Sequence, residues 1–307
     1  MGQQGRIVTL TSAVLVFTVP HMRLITFIHN RREQIGVRQD DAVIPAASID
    51  PELPDSILQI LADGRLEELQ SGVSNFDGAG IAADAIEYLP LIPRPGKILC
   101  IGRNYAAHAA EGDAETPTFP EVFFRGSTSL VPHKGVIIRP PCSETLDFEG
   151  EFAFVVGKSC RHATEDDALD YIAGYTLFND ATIREYQRFT SQWTVGKNFD
   201  GTGAFGPELV TTDELPDSMA GLSLTTKLNG ELMQDGQIDD LVFPVRTLIT
   251  ILSECMTLEP GDVVVTGTPA GVGYARKPPV WMKHGDTVEI EVEGLGKLIN
   301  TVQDEVK

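Results

Sequence analysis

The chain has 307 residues, a formal net charge of −20 and 42% hydrophobic residues. That composition supports a packed core rather than disorder, and the acidic field excludes nucleic acid as a natural partner. The four cysteines, Cys100, Cys142, Cys160 and Cys255, form no CxxC pair. A disulfide framework and a zinc site are therefore disfavoured. The expectation is a reducing, cytoplasmic setting with the thiols as buried apolar residues.

Residues 7–19 form an apolar run after Arg6 that is too short to cross a bilayer. Val19-Pro20-His21 is a poor cleavage site, so residues 1–21 read as an upstream extension outside the core rather than a signal peptide. No other stretch reaches transmembrane length, and no membrane partner is expected. Residues 24–29 and 34–37, with polar Arg31–Glu33 between them, predict a hairpin. From Ser56 the segment ILQILADGRLEELQ has apolar residues at helical spacing, with Asp55 or Ser56 as its cap. Together these make a small α+β domain over residues 22–88. Three prolines and a glycine between Tyr88 and Gly96 predict a stiff linker.

A larger domain is expected over 97–307. Short β-branched runs predict strands at 97–101, 122–124, 135–139, 151–156, 263–266, 287–292 and 297–302, the last two as a hairpin across Glu293-Gly-Leu-Gly296. Helical patterns fall at 164–171, 181–191 and 243–256. Strands and long helices do not alternate, so a doubly wound parallel sheet is disfavoured; an α+β, mostly β fold is expected. Gly201-Thr-Gly-Ala-Phe-Gly206 satisfies G-x-G-x-x-G, but Pro207 follows and no βαβ unit surrounds it, so it is rejected as a dinucleotide fingerprint.

Glu149 and Glu151 are two apart, hence on one strand face with Ala153 and Val155, opposite Phe148, Phe152 and Phe154. Two parallel carboxylates in an apolar strand raise each other's pKa unless a hard cation compensates; alternatively they are solvated at a strand end. Asp180 follows an apolar strand, as a third ligand or a helix N-cap. Arg184 and Gln187 follow on one helical face, either facing a substrate carboxylate or facing solvent. His108 and Glu111 are three apart and form either a general-base pair or an ordinary surface pair. Lys197 sits in a glycine-flanked loop where its charge can meet an enolate or a carboxylate. Thr268 lies in a Gly/Pro-rich turn that is either an anion nest or a plain turn.

Five segments in this order, GRNYAAHAAEG, DFEGEFAFVVG, GYTLFNDATIREYQ, TVGKNFD and LEPGDVVVTGTPAGVG, resemble the fumarylacetoacetate hydrolase superfamily over residues 97–303. The N-terminal module resembles the leader domain of its longer members. Arg125 is a departure, since many members carry lysine near that position. The resemblance implies a mixed β-roll or sandwich, usually a homodimer. It also implies Mg²⁺, with Mn²⁺ or Ca²⁺ as alternatives, on Glu149, Glu151 and Asp180. His108 and Glu111 would be a water-activating dyad on a lid, and Lys197 would stabilise negative charge. Arg184, Gln187 and Thr268 would hold a small 2-keto or β-diketo acid. The first expectation is hydrolysis of a C–C bond in a β-diketo acid such as an acylpyruvate. The alternative is keto–enol tautomerisation, isomerisation or decarboxylation of a 2-keto dicarboxylic acid through the same enolate.

Overall fold

The computed structural model describes residues 22–112 and 115–306, and the expected extension at 1–21 lies outside them. The N-terminal hairpin forms from Arg23–His29 and Arg32–Gln39. Asn30 and Arg31 both take positive φ (51° and 63°), the turn geometry that matches the twist of paired strands. The segment after Ser56 makes two helices, Ile57–Ala62 and Leu66–Ser74. Gly64 separates them at φ 67°. Its N–H bonds Leu61 O, and the N–H of Arg65 bonds Ile60 O. This pairing terminates the first helix, and only glycine takes that conformation freely.

The strand Arg23–His29 pairs antiparallel with Gly203–Thr211 through Arg23↔Val210 and Leu24↔Leu209. One twelve-stranded sheet thus runs from the N-terminal hairpin through the centre of the chain. The proline-rich segment lies along it: Tyr88 pairs with Phe27, and Thr26 Oγ1 donates to Leu91 O at 2.7 Å. Gly203–Thr211, Ile172–Asp180, Gly150–Val156 and Val263–Val265 follow one another across its middle. All four are buried throughout, as strands covered on both faces are.

A second sheet of five strands contains Glu231–Gln237, Ser223–Leu228, Thr287–Val292, Gly296–Asp304 and Val136–Arg139. Ser223–Leu228 and Thr287–Val292 alternate buried and half-buried residues, so only one of their faces meets the core. Phe148, Phe152 and Phe154 join the apolar cluster that includes Leu224, Ile290 and Leu298 of this second sheet. Ala153 and Val155 face the other cluster, with Ile57, Ile60 and Leu69 of the N-terminal helices. The mostly β reading holds, as do the two faces of the 150–156 strand.

Several local expectations are corrected. The 164–171 pattern yields only a short 3₁₀ turn, Ala168–Tyr171, and the 181–191 pattern only Arg184–Arg188. Cys142 and Cys255 are exposed, while Cys100 and Cys160 are buried. Among the described residues no helix is long and apolar enough to cross a membrane.

Candidate active site

Several chain segments end around one cavity of about 180 Å³. Glu149 precedes the strand Gly150–Val156, Asp180 ends the strand Ile172–Asp180, and Lys197 ends the short helix Thr194–Lys197. Gly196 makes that placement possible: a Cβ there would lie 2.4 Å from the backbone nitrogen of Gln187. The helix Ala106–Glu111 presents His108 after the strand Ile98–Gly102. His108, Glu149, Glu151, Asp180, Arg184, Gln187, Lys197 and Thr268 all line the cavity. Glu111 stands behind His108, with its Oε2 3.2 Å from Nδ1.

Glu149, Glu151 and Asp180 are buried, and one oxygen of each lies within 4.8 Å of the others. Lys197 Nζ donates to Glu149 Oε2 and Asp180 Oδ2 at 2.5 Å each, and to Asp180 O at 3.2 Å. Its three donors are thereby engaged, so its charge rather than a free N–H reaches the cavity. Arg125, also buried, donates to Asp180 Oδ1 at 2.5 Å. Arg184 Nη1 lies 2.7 Å from Glu149 Oε1.

Burial pushes the Glu149 carboxyl up, but Lys197 and Arg184 outweigh it and draw it down to about 2. Glu151 goes the other way. Burial, then the charges of Asp180 and Glu149, hold it well above the usual carboxylate range. Burial works against the Lys197 ammonium, yet Asp180 and Glu149 raise it overall.

These residues fit a hard divalent cation. The donors are carboxylate oxygens, and a carboxylate that accepts one hydrogen bond per oxygen keeps lone pairs for a metal. The like-charge crowding on Glu151 is the strain such an ion would relieve.

Arg184 is held from behind. Its Nε donates to Asp147 Oδ2 at 2.7 Å and Nη1 to Gln187 Oε1 at 3.0 Å. Nη2 is buried with no hydrogen-bond partner among the described residues, a donor in want of a ligand. Asp147 also accepts the N–H groups of Gly273 and Tyr274 at 2.8 and 3.0 Å. The sequence reading passed over Asp147, although it shares the i, i+2 alternation of Glu149 and Glu151. Tyr274 and Arg188, also on the cavity wall, carried no sequence signal.

The dyad is anchored by Glu111, whose Oε1 accepts the Gly271 N–H at 2.8 Å. With Nδ1 facing a carboxylate, the imidazole proton belongs on Nδ1, which leaves Nε2 as the unprotonated nitrogen. Thr268 Oγ1 donates to Gly150 O at 2.9 Å and accepts from Gln234 Nε2 at 2.7 Å. Its hydroxyl is committed to holding the turn against the carboxylate strand.

The model of the fumarylacetoacetate hydrolase C-terminal family matches residues 97–303. The chain is 37% identical over 291 residues to a protein of Rattus norvegicus named oxaloacetate tautomerase Fahd2a, mitochondrial, covering 92% of each chain. Among solved structures it is similar to a fumarylacetoacetate hydrolase of Exiguobacterium antarcticum. That match has 32% identity and a TM-score of 0.78, covering 92% of this chain and 100% of the other. It is also similar to a 5-carboxymethyl-2-hydroxymuconate delta-isomerase of Mycobacterium smegmatis. There the identity is 30% and the TM-score 0.73, covering 93% and 100%. The tautomerase and isomerase names among these relatives fit the second expectation, enolate chemistry without cleavage, better than the first, hydrolysis of a β-diketo acid.

Proposed function

Because this chain belongs to the fumarylacetoacetate hydrolase family, we propose that it interconverts the keto and enol forms of a 2-keto dicarboxylic acid of the oxaloacetate type. The observation that carries this is the orientation of His108. Its Nδ1 is tied to Glu111, its other nitrogen has no hydrogen-bond partner among the described residues, and the ring lines the same cavity as the charge cluster. One base and a fixed field are what a proton shift between C3 and a keto oxygen needs.

A divalent ion such as Mg²⁺, held by Glu149, Glu151 and Asp180, would supply Lewis acidity toward the substrate's 2-keto oxygen. Arg184 Nη2, which has no partner among the described residues, binds a carboxylate oxygen and orients the acid. His108 Nε2 takes the C3 proton, and Glu111 stabilises the imidazolium so formed. Electrons from the broken C3–H bond move into the C2–C3 bond, and the 2-keto oxygen gains the charge. The positive charge of Lys197, which lines the cavity beside the carboxylates, stabilises that charge. Return of a proton to oxygen completes the enol, and no C–C bond breaks.

The test is NMR in D₂O with purified protein, Mg²⁺ and oxaloacetate. Accelerated C3 deuterium exchange, suppressed by EDTA and by His108→Ala, is expected. Formation of pyruvate and a carboxylic acid from acylpyruvates, without accelerated exchange of oxaloacetate, would return the protein to the hydrolases.

A further inference from the structure

We propose that Arg188 is a specificity residue that binds the distal carboxylate of the substrate and so selects dicarboxylic over monocarboxylic 2-keto acids. The inference rests on the enolate reading above and deepens it. Arg188 ends the helix Arg184–Arg188, one turn beyond Arg184, and residues at that spacing share a helix face. Both guanidinium groups lie over the ring of Tyr274, with Cζ 4.4 Å from its centroid for Arg184 and 4.5 Å for Arg188. All three side chains line the cavity.

The cations on this wall differ in what satisfies them. Arg184 is bound to Asp147, Glu149 and Gln187. Arg103, on the same wall, is paired with Glu121 at 2.8 Å. Arg188 touches the Tyr274 ring, and among the described residues it has no hydrogen bond or ion pair, although the chain carries a net charge of −20. A guanidinium oriented by ring stacking, with its edge left free, is suited to bidentate binding of a carboxylate. With the keto-acid end of the substrate at Arg184 and the carboxylate cluster, the far end of a short diacid falls one helical turn away, at Arg188. A monocarboxylate leaves that guanidinium to water.

Succinate and butyrate share a chain length and differ by one carboxylate, and Trp193 on the cavity wall reports their binding by fluorescence. Titration of the Mg²⁺-loaded protein should show tighter binding of succinate. Arg188→Met should cut the succinate-to-butyrate affinity ratio by about tenfold or more, and Arg188→Lys should restore part of it. An unchanged ratio in Arg188→Met overturns the assignment, as does a wild type that binds neither acid or has no preference. Deuterium exchange of oxaloacetate and 2-oxobutanoate separates this from the catalytic reading. Exchange of neither, with an Arg188-dependent succinate preference, sinks the tautomerase and spares Arg188. Exchange of both, with a ratio that Arg188→Met does not alter, does the reverse.

Discussion

The carboxylate cluster and the His108–Glu111 helix meet at one cavity but are held in different ways. Glu149, Glu151 and Asp180 stand on or beside central strands paired on both sides, and Arg125, Lys197 and Arg184 hold Glu149 and Asp180 by ion pairs. His108 and Glu111 stand on a six-residue helix whose first turn has no side-chain cap. One hydrogen bond from Gly271 fixes Glu111, and Asn104, just before the helix, donates to Phe243 O and Thr266 O. The cluster's charges are bound up with folding, because unpaired charge in a core is costly. The dyad's chemistry is separable from it. The carboxylates thus sit on the rigid part of the site and His108 on the less constrained element.

The largest expected effect falls on the dyad's chemistry alone. His108→Ala should lower the exchange rate by about 10²–10⁴-fold, while chemical denaturation should show a loss of only about 1 kcal/mol. A stability loss several times larger would erase the distinction between the two regions. The converse change is Arg125→Met, which leaves Asp180 Oδ1 without its buried partner. It should cost about 3–5 kcal/mol of folding stability, read from the denaturant midpoint. A neutral outcome would mean the ion pairs are not what holds the cluster.

Acid titration compares the cluster with a buried group outside it. His133 is drawn down to about 4, first by burial and then by Lys134 and Arg38. Its Nδ1 accepts the Ile299 N–H at 3.2 Å, a bond that protonation of that nitrogen would remove. Between about pH 6.5 and 4 the unfolded chain therefore binds the proton and the folded one does not. The stabilisation is complete above pH 6.5 and is lost as pH falls toward 4, by up to about 3 kcal/mol. His133→Gln should flatten that limb in pH-dependent denaturation. If the limb persists, another group carries it.

The smallest effect expected is that of the cation. At about 100 times its dissociation constant Mg²⁺ should add about 2.7 kcal/mol of stability. EDTA should therefore lower the melting temperature, and Glu151→Gln should make the protein insensitive to EDTA. An EDTA effect that survives in Glu151→Gln would place the ion elsewhere.

Where the sequence reading failed, it failed on particular physics. The central strand Gly203–Thr211 was absent from the expected strands because its glycines and Pro207 resemble turn chemistry. Pairing on both sides overrides that propensity. The hairpin of Ser223–Leu228 and Glu231–Gln237 was missed because its outward residues are polar, yet Asn229-Gly230 between them is a strong turn signal. The 164–171 pattern overstated a helix because a few apolar residues at helical spacing cannot nucleate one alone.

Residue spacing by itself determined a good deal. It placed Glu149 and Glu151 on one face of a strand with the phenylalanines opposite and put His108 beside Glu111. These are local properties, set by the two-residue period of a strand and the 3.6-residue period of a helix. Only the tertiary structure decided that Asp180 comes within ligand distance of that face, that Arg125 and Lys197 neutralise it, and that Asp147 holds Arg184 in place. It also decided that Arg184 and Arg188 share the ring of Tyr274. Those contacts join residues tens of positions apart across neighbouring strands and loops. Their electrostatic consequences exist only once burial has removed the water that would otherwise screen them.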